Sequence, residues 1–237
     1  MGIKDELSSD IEKIIQHDLD IHNGLNVPAI GKLPLENGVR FDATILCAGF
    51  TYSIKPVTDF QQRAAAKAVR IFLRCMCRLI TANGGTVIIY DAQKVTGIFL
   101  GDMRNTNATT CALKMNYVTL KMITPALNEY FMEANEQGFG VMHCVGVDTG
   151  PILAIRAGLS SSNDVIWVGR APILASKLSE NRNSPLNTYI SEDTFFMLFE
   201  QAKFSPDNSR QLMWEESTFD YLGEKLKVYR SARSHEP

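Results

Sequence analysis

No stretch of the chain comes near the roughly 20 consecutive apolar residues that cross a bilayer. Its start, Met1-Gly-Ile-Lys-Asp-Glu-Leu, has no apolar segment of the secretory kind. No membrane span is expected, and the cytoplasm is the expected compartment. Positive charge is not in excess either: 24 Lys and Arg stand against 26 Asp and Glu, a net charge of -2. Binding to a phosphate backbone leaves a basic field, so nucleic acid is not expected as a partner. The five cysteines, Cys47, Cys75, Cys77, Cys111 and Cys144, form no CxxC pair and are odd in number, as free thiols in a reducing compartment would be. The four histidines, His17, His22, His143 and His235, show no HExxH-like spacing, which argues against a histidine metal centre.

What the chain does have is 45% hydrophobic residues over 237, enough to bury the core of one globular domain. Ile3, Leu7, Ile11, Ile14 and Ile15 recur at helical spacing among charged residues and predict an amphipathic helix over 4–18. Asn23-Gly24, Pro28, Gly31 and Pro34 follow, so residues 1–38 read as an N-terminal helix and linker, and 39–237 as the domain proper with C-terminal edge strands. A β-rich run at 40–48 precedes a long helix at 59–82, ended by Asn83-Gly84-Gly85. Strands at 86–90 and 95–100 make a hairpin with Asp91-Ala-Gln-Lys94 at its tip. A second long helix covers 105–134, kinked or split at Pro125. Strands are expected at 140–147, 152–158 and 164–168, a helix at 171–180, a strand at 187–190, and a helix from the Ser191 cap to 201. This order gives an α+β fold, an antiparallel or mixed sheet with packed helices.

Longer motifs narrow the reading. Phe41-Asp-Ala-Thr-Ile-Leu-Cys-Ala-Gly-Phe-Thr51, Gly84-Gly-Thr-Val-Ile-Ile-Tyr-Asp-Ala-Gln-Lys-Val-Thr-Gly-Ile-Phe99, Val145-Gly-Val-Asp-Thr-Gly150 and Trp167-Val-Gly-Arg-Ala-Pro-Ile-Leu-Ala-Ser-Lys-Leu178 come in that order. Together they resemble the class III nucleotide cyclase catalytic domain over residues 40–195. Gly101-Asp102, Cys111-Ala-Leu-Lys-Met-Asn-Tyr117 and Ser162-Asn-Asp164 are similar to the bacterial pyrimidine cyclases of Pycsar anti-phage defence. The resemblance implies a ferredoxin-like core and a homodimer with its active site at the subunit interface. It also implies cyclisation of a nucleoside triphosphate, here UTP or CTP to cUMP or cCMP, on two Mg²⁺ or Mn²⁺ ions held by two aspartates.

The chain departs from the family pattern where the chemistry is done. Gly49 stands at the first metal aspartate, Gln93 at the second, and Ile173 at the asparagine supplied by the partner subunit. Glycine offers no side-chain ligand, a neutral amide is a weak one for Mg²⁺, and isoleucine makes no hydrogen bond. Lys177 keeps the family's basic position and Arg170 a nearby charge, while Cys47 and Lys94 replace an aromatic and an arginine at the base-recognition end. Cys47, Phe50, Thr51, Lys94, Arg170 and Lys177, with the amides from Phe50 to Ser53, are the candidate nucleotide-binding groups. No resident cofactor is expected; an active chain would need Mg²⁺ or Mn²⁺ on relocated ligands, for which Asp42 and Asp91 are the candidates. Their plainer reading is a strand-edge carboxylate for Asp42 and a turn residue for Asp91, with Asp148 capping the amides of a second turn.

The expectation is an impaired pyrimidine-cyclase homologue, a pseudoenzyme that binds a nucleoside triphosphate or cyclic nucleotide as a regulatory homodimer in antiviral defence. Two rivals stand beside it. One is an active uridylate or cytidylate cyclase, a phosphorus-oxygen lyase with a moved metal site. The other is an interaction protein that meets a defence effector through its N-terminal helix.

Overall fold

The computed structural model describes residues 2–28, 31–52, 58–131, 140–158, 164–182, 186–206 and 209–237. The chain forms two compact units, one of Met1–Phe41 with Pro151–Gly169 and one of Asp42–Gly150 with Arg170–Pro237. In the smaller unit, helix α1 (Ile3–Gln16) has the amphipathic pattern yet buries none of its residues, and Ile3, Leu7, Ile11, Ile14 and Ile15 are all exposed. Strand β1 (Asp20–Asn23) pairs in parallel with the start of β2 (Asn37–Tyr52). The end of β5 (Val141–Ala157) pairs antiparallel with β6 (Asp164–Val168). Phe41 and Trp167 meet there with ring centres 6.0 Å apart, and both are buried.

The larger unit holds a mixed sheet in the order β3 (Thr86–Tyr90), β4 (Lys94–Phe99), β2, β5, β7 (Thr188–Ser191), β9 (Glu224–Ser231), β8 (Glu215–Tyr221). β5 and β7 run parallel, whereas β2–β4, β3–β4, β7–β9 and β8–β9 are antiparallel. Its core joins Leu46 and Phe50 of β2, Phe99 of β4, Phe72, Met76 and Ile80 of α2 (Asp59–Ala82), and Leu113 and Met115 of α3 (Arg104–Tyr117). Helix α2 starts where Thr58 and Gln61 exchange side-chain-to-backbone bonds, a capping box, and stops at Gly84, whose φ of +81° a residue with a Cβ rarely adopts.

Two elements need more detail than their sequence reading gave. The predicted helix over 105–134 is α3, then a π-helical stretch (Val118–Ile123), then α4 (Thr124–Tyr130). The backbone stays helical through the join, where the Thr124 amide donates to the Thr119 carbonyl, and the π-helical stretch just before Pro125 is the interruption that the sequence placed at that proline. Residues 132–134 lie outside the described residues. The strands expected at 140–147 and 152–158 are one strand, β5, because the ladder to β7 ends at Val147 and that to β6 begins at Leu153, leaving Pro151 between them. Helix α5 (Arg170–Leu178) follows β6; beyond β7, Ser191 accepts from the amide of Thr194 and caps α6 (Glu192–Phe196), which is separate from α7 (Glu200–Lys203). No helix among the described residues is long and apolar enough to cross a membrane.

Candidate functional site

The two positions read as lost metal aspartates lie side by side. In the β2–β4 ladder Gly49 is opposite Lys94, and the amide of Phe50 donates to the Gln93 carbonyl at 2.7 Å. The hairpin tip is held by Asp91, whose Oδ1 accepts from the amides of Gln93 at 2.6 Å and Lys94 at 2.9 Å. Asp91 is thus engaged in its turn, as Asx residues favour. Glycine on two strands lets the C-terminal end of α5 approach closely. A Cβ on Gly146 would meet the Ala175 carbonyl oxygen, the Leu178 Cβ at 2.7 Å and the Ser179 amide at 2.8 Å. A Cβ on Gly49 would lie 2.5 Å from the Ser179 carbonyl oxygen and 3.0 Å from both Nε and Nη2 of Arg182.

Charge at this end of the sheet is arranged by Glu180. Lys94 Nζ donates to Ser176 Oγ and to Glu180 Oε1, both at 2.8 Å, and Lys177 Nζ reaches Glu180 Oε2 at 3.3 Å. The hydrogen bond from Lys94 is the main reason the Glu180 carboxyl titrates below its usual range. At the far end of α5, Arg170 binds Asp148 twice, at 3.1 and 2.9 Å, and Asp193 at 2.5 Å. Arg170 is therefore held by two carboxylates. Asp148, expected to cap a turn, is instead a fully buried strand residue that depends on that guanidinium.

The other candidate residues take the following places. Phe50 is a core residue stacked on Phe72 at 4.4 Å, and its amide is taken by Gln93. Cys47 is 1% exposed, under Ser179 and Thr96, whose hydroxyls lie 3.5 and 3.7 Å from its sulfur. A base could not touch it without displacing Ser179. Thr51 is half-buried at the end of β2, and Ser53 lies outside the described residues. Ile173 is 50% exposed on α5. Asp42 is seven residues from Gly49 on one extended strand, roughly 23 Å away and on the opposite face, so it cannot share an ion with the hairpin.

The group that sequence reasoning missed is Arg182. It is half-buried, its Nε–H is buried without an acceptor, and among the described residues no carboxylate lies within ion-pair distance of it. Its charge reaches the Cys144 thiol, where it opposes the burial that pushes that group up to about 12. Nothing in the local run Glu180-Asn-Arg-Asn marks it out. A pair of divalent cations does not fit these residues: position 49 has no side chain, position 93 has an amide, and a guanidinium lies beside them. No group of three or more metal-binding side chains occurs among the described residues.

A uridylate cyclase of Rhodovulum sp. (strain MB263) is 34% identical over 238 residues, covering 100% of this chain and 99% of its own. The chain belongs to the uridylate cyclase family. A second uridylate cyclase, from Xanthomonas perforans, is 32% identical over 233 residues, covering 98% and 97% of the two chains. No protein-family model matches. Among solved structures, the guanylyl cyclase Cya2 superposes with a TM-score of 0.62 at 16% identity, over 84% of this chain and 96% of that one. A class III adenylyl cyclase-like ATP-binding protein from Pseudomonas aeruginosa gives 0.65 at 16%, over 88% and 46%. This member of the uridylate cyclase family therefore has the class III cyclase fold.

Proposed function

We propose that this chain is a catalytically silent member of the uridylate cyclase family, a cytoplasmic, dimeric nucleotide-binding or regulatory protein of bacterial anti-phage signalling. One observation carries the reading. Positions 49 and 93, which the resemblance gives to two metal aspartates, lie one step apart in register on paired strands and carry a glycine and an amide, with a guanidinium beside Gly49. Losing metal stabilisation of the leaving phosphate is worth several kcal/mol, or about a thousandfold in rate at ~1.36 kcal/mol per decade. Ile173, half-exposed on α5 at the position the family gives to a partner-facing asparagine, removes a further polar contact. Relocated metal chemistry is disfavoured by the distance of Asp42 and by the hairpin bonds of Asp91.

Incubation with UTP, CTP, ATP and GTP in Mn²⁺, read by mass spectrometry, tests this. No cyclic nucleotide is expected within a thousandth of the rate of an intact cyclase, a bound set by the lost metal term. Product that disappears in Asp91→Ala would mean an active enzyme with a moved metal site.

A further inference from the structure

We infer that Arg182 takes the place of the divalent cations, making the site a metal-independent binding site for the phosphates of a nucleotide. The inference rests on the nucleotide-binding reading above and adds how such a ligand is held. Each cation that the sequence offered for this role is already paired: Arg170 to Asp148 and Asp193, Lys94 and Lys177 to Glu180. Arg182 is not. Its Nε and Nη2 lie equally near the point where a Gly49 side chain would begin. That edge of a guanidinium is a fork that binds two oxygens of one anion at once.

The geometry is self-consistent in charge. With an aspartate at position 49, a Cβ would press on the Ser179 carbonyl and on this guanidinium. Glycine removes the carboxylate that would neutralise Arg182 and also the atoms that would exclude it. Lys94 and Lys177 share one carboxylate, Glu180, and the hairpin tip adds Asp91, so with Arg182 this end of the sheet holds three cations against two carboxylates, one positive charge in excess. A buried donor without an acceptor is costly, and a phosphate oxygen satisfies it while meeting the charge. The Cys144 thiol, on which the charge of Arg182 acts, is pushed up to about 12 by burial and so does not compete as an anion.

The test is calorimetric titration of the purified full chain with UTP, cyclic UMP and inorganic triphosphate, each in EDTA and in Mg²⁺. The expected result is binding of at least one probe in EDTA, no more than about threefold tighter in Mg²⁺, and weakened tenfold or more in Arg182→Met. Arg182→Lys, which keeps the charge and loses the fork, should fall between. Melting temperatures of the unliganded variants show whether they fold, and the EDTA comparison on the natural chain needs no variant. UTP and triphosphate binding alike, with cyclic UMP weak, assigns the site to a polyphosphate; cyclic UMP binding best assigns it to the cyclic phosphodiester. Binding that needs Mg²⁺, a folded Arg182→Met variant that binds as well as the natural chain, or no binding of any probe overturns the inference. Metal-dependent binding without turnover would leave the silent-cyclase reading standing. Turnover accompanied by metal-free binding would remove that reading and leave this one.

Discussion

His143 is 3% exposed, with Nε2 2.7 Å from Oδ1 of Asn116. Because Asn116 gives its Nδ2 to the Arg233 carbonyl at 3.0 Å, its oxygen faces the ring, and the ring proton is assigned to Nε2. Burial pulls this imidazole down to about 4. Above pH 6.5 both folded and unfolded chains carry it neutral, so it adds no pH dependence. Between about 6.5 and 4 the unfolded chain takes up a proton that the folded one refuses, and stability falls as pH falls. Half-buried His235 shifts the same way. Urea unfolding at pH 7.5 and 4.5 should show a loss of about 2–3 kcal/mol from His143, absent in His143→Gln. An equal loss in that variant would assign the acid sensitivity elsewhere. At this scale the sequence was a partial guide: it named Lys94, Arg170 and Lys177 as cations but could not show that Glu180, Asp148 and Asp193 already hold them. Such pairing depends on residues up to 86 positions apart, which no local pattern encodes.

Among the elements, α5 decides the character of the site, and its approach depends on glycine. Gly146→Ala would drive a methyl into the Ala175 carbonyl and the Leu178 Cβ, both on rigid helix, so the helix end must move. Overpacking of this kind costs about 1–3 kcal/mol, whereas Gly140→Ala, whose added methyl meets no atom of the described residues within 4 Å, should stay within ~0.5 kcal/mol. Thermal or urea unfolding of the two variants checks this; equal stability would mean that α5 does not depend on the bare backbone at Gly146. Most elements were legible because their signals are local: periodicity for α2, the Asn83-Gly84 stop, the Asp91 turn. The continuity of β5 through Gly150-Pro151 was not, since a turn-like dipeptide is tolerated where the flanking ladders change partners. The exposed apolar stripe of α1 was read correctly as a helix face, and nothing in its own sequence says what it meets.

On the scale of the molecule, the class III cyclase fold and the uridylate cyclase family were both legible, because long motifs in fixed order report a whole scaffold. The fold needs the apolar residues of β2, β4 and α2, and these are present, whereas positions 49 and 93 carry a glycine and an amide. Stability is carried by core residues other than these two, so the fold does not depend on what stands at positions 49 and 93. What the sequence could not convey was that Gly49 is flanked by a guanidinium from a distant segment, Arg182. The most direct check is anomalous diffraction from crystals soaked with Mn²⁺ and UTP. The expected result is no manganese ligated by Gly49, Gln93 or Asp91, with phosphate oxygens on Arg182. Manganese bound to the Asp91 carboxylate or the Gln93 amide oxygen would contradict the replacement of the metal site by an arginine.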